Sequence, residues 1–547
     1  MTKIGSLQFN SINPHSKMKT KIELFHNLYP MCQIIKTSDD EYVMYDAKAN
    51  FAFAVDEKEA DTILSILIDR VENKTDSDKL DDSPLSRQLK KLLEAGVFIP
   101  GEAESVSSED REIVSKQIEY WDANVLPRKF VLEATEECNY RCKYCPNTIH
   151  EGTGLRSHTH RKMSFETAKR AIDYYFSKYT AFYVRLSEEK KKLLEETIPP
   201  TLAWYGGEPL MNFTLQKQAM EYFKSKPWDE FGIDKKYLSF STNSNMSAMT
   251  DDMLHYLVDN NVQLFASLDG PKSENDKCRV FVNGQGTFDT IVKNLKKIKE
   301  YAPEYFKEKV VIYAVEATCY DHEKCIDYFE NGDFAGDNIL YQTQEPIGCI
   351  IEHPEEDYEN LCANFDERLN FLKDMIDKAD TDHFPEKLEE FINFVKIKND
   401  NPKGSNNLGL TLSCPMGIDN NIVGVNGDIH ICHKTDGSAP FGNIYSLPID
   451  YSKLVDIYLD HNRSVNEGGC KSCWIVNFCP ICGARRLNSG KMNNPTPAEC
   501  KVIRLEEKLM LMAYFYASQH RPDLVEYIAK KRVNKREYVS VTDVNTY

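Results

Sequence analysis

Between residues 127 and 345 strand-like apolar runs alternate with helical stretches, and that alternation limits the fold more than any other feature. Strand signals fall at FVLEAT (130–135), TLAWYG (201–206), YLSFST (237–242), VQLFASLD (262–269), VVIYAVEAT (310–318) and NILYQTQ (338–344). Helical periodicity occupies 164–178, 213–225, 251–260 and 287–302. Strands that return through helices build a parallel sheet. Six such units predict an α/β fold, a barrel or part of one, with chemistry at the C-terminal strand ends. The charged segment YVRLSEEKKKLLEETIPP (183–200) reads as an extra surface helix inserted before the second strand.

The flanks differ in character. Residues 1–105 carry three short strand-like runs, CQIIKT, EYVMYDA and FAFAVD, followed by helices. In the first helix Ala60, Ile63, Leu64, Leu67 and Ile68 recur at i, i+3, i+4 spacing. The order of elements predicts a winged-helix-like unit. Residues 106–126 form a linker, 346–407 an acidic helical bridge, 408–505 a Gly- and Cys-rich segment, and 506–547 a helix and tail. Small segments such as 408–505 need staples or metals to hold a fold.

Charge narrows the partners. With 67 Lys and Arg against 85 Asp and Glu the net charge is -18, which disfavours nucleic acid or an anionic membrane. The first 25 residues lack a continuous apolar core, and LMLMAYFYA (509–517) is about half the length a membrane span needs. A cytoplasmic location is expected. There the 16 cysteines stay reduced. Three lie in 138–145 and seven in 414–500, and such clustering points to metal. Cys32, Cys278, Cys319, Cys325, Cys349 and Cys362 are scattered and read as buried core thiols.

The stretch CNYRCKYC supplies Cys138, Cys142 and Cys145 directly after the first strand. Three thiolates can hold three irons of a cubane and leave the fourth iron open. A tetrahedral zinc site completed by His150 is the alternative. YGGEPL (205–210) follows the second strand; its glycines admit close approach of a ligand, and Glu208 can pair with an ammonium. STNSN (241–245) follows the third and suits a ribose. SLDGPKSENDKCR follows the fourth and places Ser267 and Arg279 where they could hold a carboxylate. Ammonium, sugar and carboxylate sites around an open iron describe S-adenosylmethionine.

With an aromatic residue, Tyr144, before its third cysteine, the CxxxCxxC motif resembles the signature of the radical S-adenosylmethionine (radical SAM) family over roughly 127–345. The resemblance implies a partial (β/α)6 TIM barrel. It also implies a [4Fe-4S] cluster on Cys138, Cys142 and Cys145 that cleaves S-adenosylmethionine to a 5'-deoxyadenosyl radical. By motif, Tyr144 would lie near the adenine, Gly206, Gly207 and Glu208 at the amino group, Ser241 or Asn243 at the ribose, and Ser267 and Arg279 at the carboxylate.

A second spacing, C-x12-G-x4-C from Cys414 through Gly427 to Cys432, then C-x2-C-x5-C-x2-C-x17-C from Cys470 to Cys500, resembles the SPASM extension of that superfamily. It departs from the family in having two residues between Cys479 and Cys482 where three are common. The resemblance implies two auxiliary [4Fe-4S] clusters. Cys414, Cys432 and Cys482 would serve the first, and Cys470, Cys473, Cys479 and Cys500 the second. The first then has either a distant fourth ligand or an open iron that could bind a peptide thiolate. By composition alone a zinc ribbon is the competing reading.

The N-terminal unit resembles the recognition element of enzymes that modify ribosomal peptides, where a leader peptide adds a strand to an exposed sheet edge. Together the parts imply a peptide maturase forming cysteine thioether crosslinks, with flavodoxin or ferredoxin as electron donor. Carbon–carbon crosslinking or epimerisation, an anaerobic sulfatase-maturing enzyme, and a zinc-stabilised binding protein are the alternatives. Asp419, His433 and Glu345 are acid–base candidates by position only.

Overall fold

The computed structural model describes residues 14–528, apart from 38–40, 50, 74–80, 82, 104–106, 126–128, 150–156, 316, 318, 336–338, 343–353, 380–415, 419, 434, 436, 477–478 and 481–482. Cys414, Cys482, Asp419, Glu345, His150 and Cys349 therefore lie outside the described residues.

The N-terminal unit opens with a helix, Pro14–Leu28, that the sequence reading did not mark. Strands β1 (Cys32–Lys36), β2 (Glu41–Asp46) and β3 (Phe51–Asp56) then form an antiparallel meander in that order. Asp56 caps the next helix, Glu57–Glu72, through a capping box with Glu59, which satisfies backbone donors that the first turn leaves open. The helix buries Ala60, Ile63, Leu64, Leu67 and Ile68, the five residues its periodicity marks. They pack with Ile34, Tyr42 and Met44 on one face of the sheet. The other face presents Met31, Ile35, Tyr45 and Ala47 to Trp474, Ile475 and Val476 of the C-terminal cysteine-rich segment.

The central sheet has nine strands among the described residues. Six match the expected series: β4 (Lys129–Thr135), β5 (Thr201–Gly206), β6 (Ser239–Ser244), β7 (Gln263–Ser267), β8 (Val310–Val315) and β9 (Ile339–Gln342). All neighbours in this series are parallel, as the alternation predicts. The extra helix before β5 is present as Glu188–Thr197. No helix among the described residues is long and apolar enough to cross a membrane.

The far side of β4 is covered from a distance in sequence. β10 (Asn420–Val423) lies parallel to β4, and β11 (Asp428–His430) and β12 (Gly442–Asn443) extend the sheet antiparallel. The Gly- and Cys-rich segment thus contributes three strands to the barrel sheet itself. Phe130, Leu132, Leu202, Trp204, Phe240 and Val423 all face the helix layer and share one core. Phe130 stacks on Tyr175 of the helix Phe165–Tyr183 at 4.9 Å. The alternate residues line the concave face: Val131, Ala203 and Ser241 in one row, and Glu133 and Tyr205 in the next.

A chain ending at Ala379 would leave β4 as an open edge and expose its share of this core. We expect such a chain to aggregate, read as void-volume elution in size-exclusion chromatography against a monodisperse peak for the full chain.

Candidate active site

The loop Cys138–Cys145 leaves the C-terminal end of β4 and is pinned from three sides. Arg141 N donates to Val280 O (2.8 Å) and Lys143 N to Cys278 O (3.0 Å). Tyr140 bridges Phe281 and stacks edge-on against it at 4.9 Å. The Arg141 guanidinium returns to the carbonyls of Cys138 and Tyr140 at 3.0 and 2.8 Å. On the third side Tyr140 Oη donates to Asn245 O at 3.3 Å.

The glycines of YGGEPL admit a close approach of the chain's own backbone. Gly206 has φ +136°, and a Cβ there would stand 2.3 Å from Thr135 O. A Cβ on Gly207 would stand 2.3 Å from Glu137 O. The close approach is to the backbone leading into the cysteine loop, with Gly207 N donating to Thr135 O and Glu208 N to Glu137 O, both at 2.8 Å. The absent side chains let β5 grip the stem of that loop.

Glu208 is buried behind this junction. Its carboxylate accepts from Leu210 N (3.0 Å), Ser244 Oγ (2.9 Å) and Asn245 N (2.7 Å). Burial outweighs these donors and pushes its carboxyl up to about 7. Glu208 thus ties the end of β5 to the end of β6. Ser241 and Asn243 both point to the concave face, beside Ala203 and Phe265 in register. Ser267 shares that face beside Tyr313.

Arg279 follows the helix Lys272–Cys278, and it has a partner the sequence reading missed. Its Nε sits 2.8 Å from Oδ2 of Asp269, with both side chains buried. Tyr144 Oη (2.6 Å) and Tyr320 Oη (2.9 Å) donate to the same oxygen, and Val315 N donates to Oδ1 (3.0 Å). The guanidinium also lies over the Tyr144 ring at 5.5 Å. The signal for Asp269 was in the quoted SLDG motif: an acid at a strand end, ten residues before an arginine. Glu133 on β4 and His430 on β11 were also missed. A Cβ on Gly424 would lie 3.4 Å from Glu133 Oε2 and 3.5 Å from His430 Nε2. Of the acid–base candidates, His433 packs edge-on against Tyr205 at 4.6 Å, on the concave side.

The donors present fit an iron–sulfur cluster. Cys138, Cys142 and Cys145 are close enough for each sulfur to feel the others, and burial pushes Cys142 up to about 12 and Cys138 further. Such thiols need cationic partners to ionise. Cys138 Sγ already accepts from Tyr140 N at 3.4 Å and Asn245 Nδ2 at 3.8 Å, the kind of bond that tunes cluster sulfur. Among the described residues no three His, Cys, Asp or Glu side chains converge as one chelated ion requires; a cubane instead gives each thiolate its own iron. Cys470, Cys473 and Cys500 interact with one another, and Cys470, Cys479 and Cys500 all lie in the field of buried Arg486. Cys432 Sγ lies 3.9 Å from His433 Nδ1. Of the scattered cysteines, Cys32, Cys278 and Cys325 are buried as expected, but Cys319 and Cys362 are exposed.

Two substitutions test this construction. Gly207→Ala forces a methyl against the Glu137 carbonyl, and overpacking of this kind costs about 1–3 kcal/mol. We expect a lowered unfolding midpoint in urea and reduced iron uptake on reconstitution. Asp269→Asn leaves Arg279 buried without its counter-charge, a loss of about 3–5 kcal/mol. Chemical denaturation of the iron-free chain should read it.

Residues 132–315 match the Radical SAM superfamily. The radical SAM cyclopropyl synthase TigE of Paramaledivibacter caminithermalis is 23% identical over 443 residues, which span 78% of this chain and 82% of that protein. The serine-type anaerobic sulfatase-maturating enzyme of Bacteroides thetaiotaomicron is 23% identical over 417 residues, or 73% of this chain and 90% of that protein. Among solved structures, native anSMEcpe with bound AdoMet and Cp18Cys peptide is similar with a TM-score of 0.45 at 16% sequence identity, covering 74% of this chain and 99% of that one. The cysteine loop and strands β5 to β8 lie within residues 132–315, the stretch of this chain that matches the Radical SAM superfamily.

Proposed function

We propose that the chain is a radical SAM peptide maturase that abstracts hydrogen from a ribosomal precursor peptide and forms cysteine thioether crosslinks. The observation that carries the reading is the contact between its two ends. The N-terminal meander docks through Met31, Ile35, Tyr45 and Ala47 onto the cysteine-rich segment, whose strands complete the sheet that holds the Cys138–Cys145 loop. A peptide held at one end is thereby addressed to the other.

β3 is, with β1, an edge strand of that meander. Thr37 N bonds Glu41 O, so alternation along β2 turns the backbone N–H and C=O groups of Phe51, Phe53 and Val55 toward β2 and leaves those of Ala52 and Ala54 facing the open edge. An extended leader peptide would add here as a fourth strand. Cys138, Cys142 and Cys145 would hold the cluster, which would supply the electron for cleavage of S-adenosylmethionine. The protein's part is to orient and to exclude water. Arg279, steadied by Asp269, would hold the carboxylate, and Ser241 or Asn243 the ribose. Tyr144 would flank the adenine. Gly206, Gly207 and Glu208 would meet the amino group through the backbone of the β5 turn.

Two auxiliary [4Fe-4S] clusters in a SPASM-type segment, on Cys414, Cys432 and Cys482 and on Cys470, Cys473, Cys479 and Cys500, complete the proposal. Flavodoxin or ferredoxin would supply electrons. The sulfatase-maturating relative keeps a second reading in view, since it aligns over most of its own length. Removal of residues 14–103 separates the two. Leader-dependent modification of a co-expressed precursor peptide, read as its mass change, should be lost, whereas formylglycine formation on a sulfatase peptide would persist. A thioether product loses two hydrogens per crosslink and resists alkylation at the linked cysteine. A truncated chain that still modifies the precursor peptide contradicts the proposal.

A further inference from the structure

Two cysteines outside the proposed cluster ligands meet beside the Arg279–Asp269 pair. Cys278 Sγ and Cys319 Sγ are 3.3 Å apart. Cys278 is buried at the end of the helix Lys272–Cys278, and Cys319 is exposed in the loop after β8. The two segments are zipped together independently of the thiols. Lys277 Nζ donates to Cys319 O at 3.1 Å, and Asp321 N donates to Glu274 Oε2 at 2.7 Å. The sulfurs are therefore held as neighbours by the fold and need to close by roughly 1.2 Å to bond.

We propose that Cys278 and Cys319 form a dithiol–disulfide site at the rim of the cofactor cradle, closed by low-molecular-weight disulfides, and that closing it weakens S-adenosylmethionine binding. The exposed Cys319 sulfur attacks one sulfur of the small disulfide. That S–S bond breaks, and one small thiol leaves with the Cys319 proton. Cys278 sulfur then attacks Cys319 sulfur and displaces the second small thiol, which carries off the Cys278 proton. Two protein thiols are oxidised and one small disulfide is reduced to two thiols, with no other reactant. The order follows access: Cys319 faces solvent, while burial pushes the Cys278 thiol up to about 12.

The connection to the cradle is direct. Tyr320, the residue after Cys319, donates to Asp269 Oδ2 at 2.9 Å. Asp269 in turn holds Arg279 and Tyr144. The Cys278 carbonyl accepts from Lys143 N in the cluster loop. Drawing the two sulfurs together pulls on both sides of this network. This second half rests on the reading of Arg279 as a carboxylate holder; the thiol chemistry does not.

The test uses reconstituted holoenzyme without oxygen, incubated with oxidised or reduced glutathione, then acid-quenched, alkylated and digested. Mass spectrometry should find Cys278 and Cys319 joined in one peptide after oxidised glutathione, with iron content unchanged, and free after dithiothreitol. Cys319→Ser and Cys278→Ser should each lose that peptide. Equilibrium dialysis should show S-adenosylmethionine affinity falling several-fold in the oxidised wild type and unchanged in oxidised Cys319→Ser. Persistent glutathione on Cys319, separate alkylation of both thiols, or a crosslink that appears only as iron is lost overturns the site. A crosslink with unchanged affinity overturns its coupling to the cradle. If reduced wild type fails to bind S-adenosylmethionine at all, the failure is that of the cofactor reading, and the crosslink still decides the thiol site.

Discussion

A buried ion pair organises the cofactor end of this protein. Arg279 and Asp269 are both removed from water, and a charge left alone there would be costly. Satisfying that pair draws together the end of β7, the helix after it, the end of β8 and the cysteine loop. Asp269 collects Tyr144 from the cysteine loop, Val315 N from β8 and Tyr320 from the loop beyond. The loop's own backbone is sewn to residues 278–280 by Arg141 and Lys143. The loop Cys138–Cys145 is therefore held in place by the chain's own polar groups.

A second constraint acts at the opposite edge. β4 has parallel neighbours on both sides, β5 from the same domain and β10 from about 290 residues later. Parallel sheets are buried on both faces, and an open edge invites association. The cysteine-rich segment closes that edge, places His430 and His433 on the concave side and at the same time forms the floor on which the N-terminal meander packs. Chain ends and barrel are thus one packed unit, which gives the proposed peptide route a physical basis.

Much of this was legible in the sequence. The six strands, the helix inserted before β5 and the buried stripe of Glu57–Glu72 follow from periodicity, because local pattern and tertiary burial agree there. The cysteine loop was legible because thiol spacing is rare and chemically specific. Three things were not. β10 to β12 are two to four residues long, too short for any periodicity to register, and β10 pairs with a strand about 290 residues earlier. The purpose of Gly206 and Gly207 depends on which backbone lies opposite, and that is a tertiary fact. The SLDG motif carried a signal for Asp269, but its role shows only where its three side-chain partners, from three separate segments, come together. The exposure of Cys319 belongs with these, since only the fold sets it beside Cys278.

The most direct test of the central claim is product analysis of the reconstituted, chemically reduced chain supplied with S-adenosylmethionine. The account predicts 5'-deoxyadenosine and methionine, with iron bound, and loss of both products in Cys142→Ala while the chain remains folded. Zinc in place of iron at Cys138, Cys142 and Cys145, or an iron-loaded chain that yields no 5'-deoxyadenosine, would contradict it.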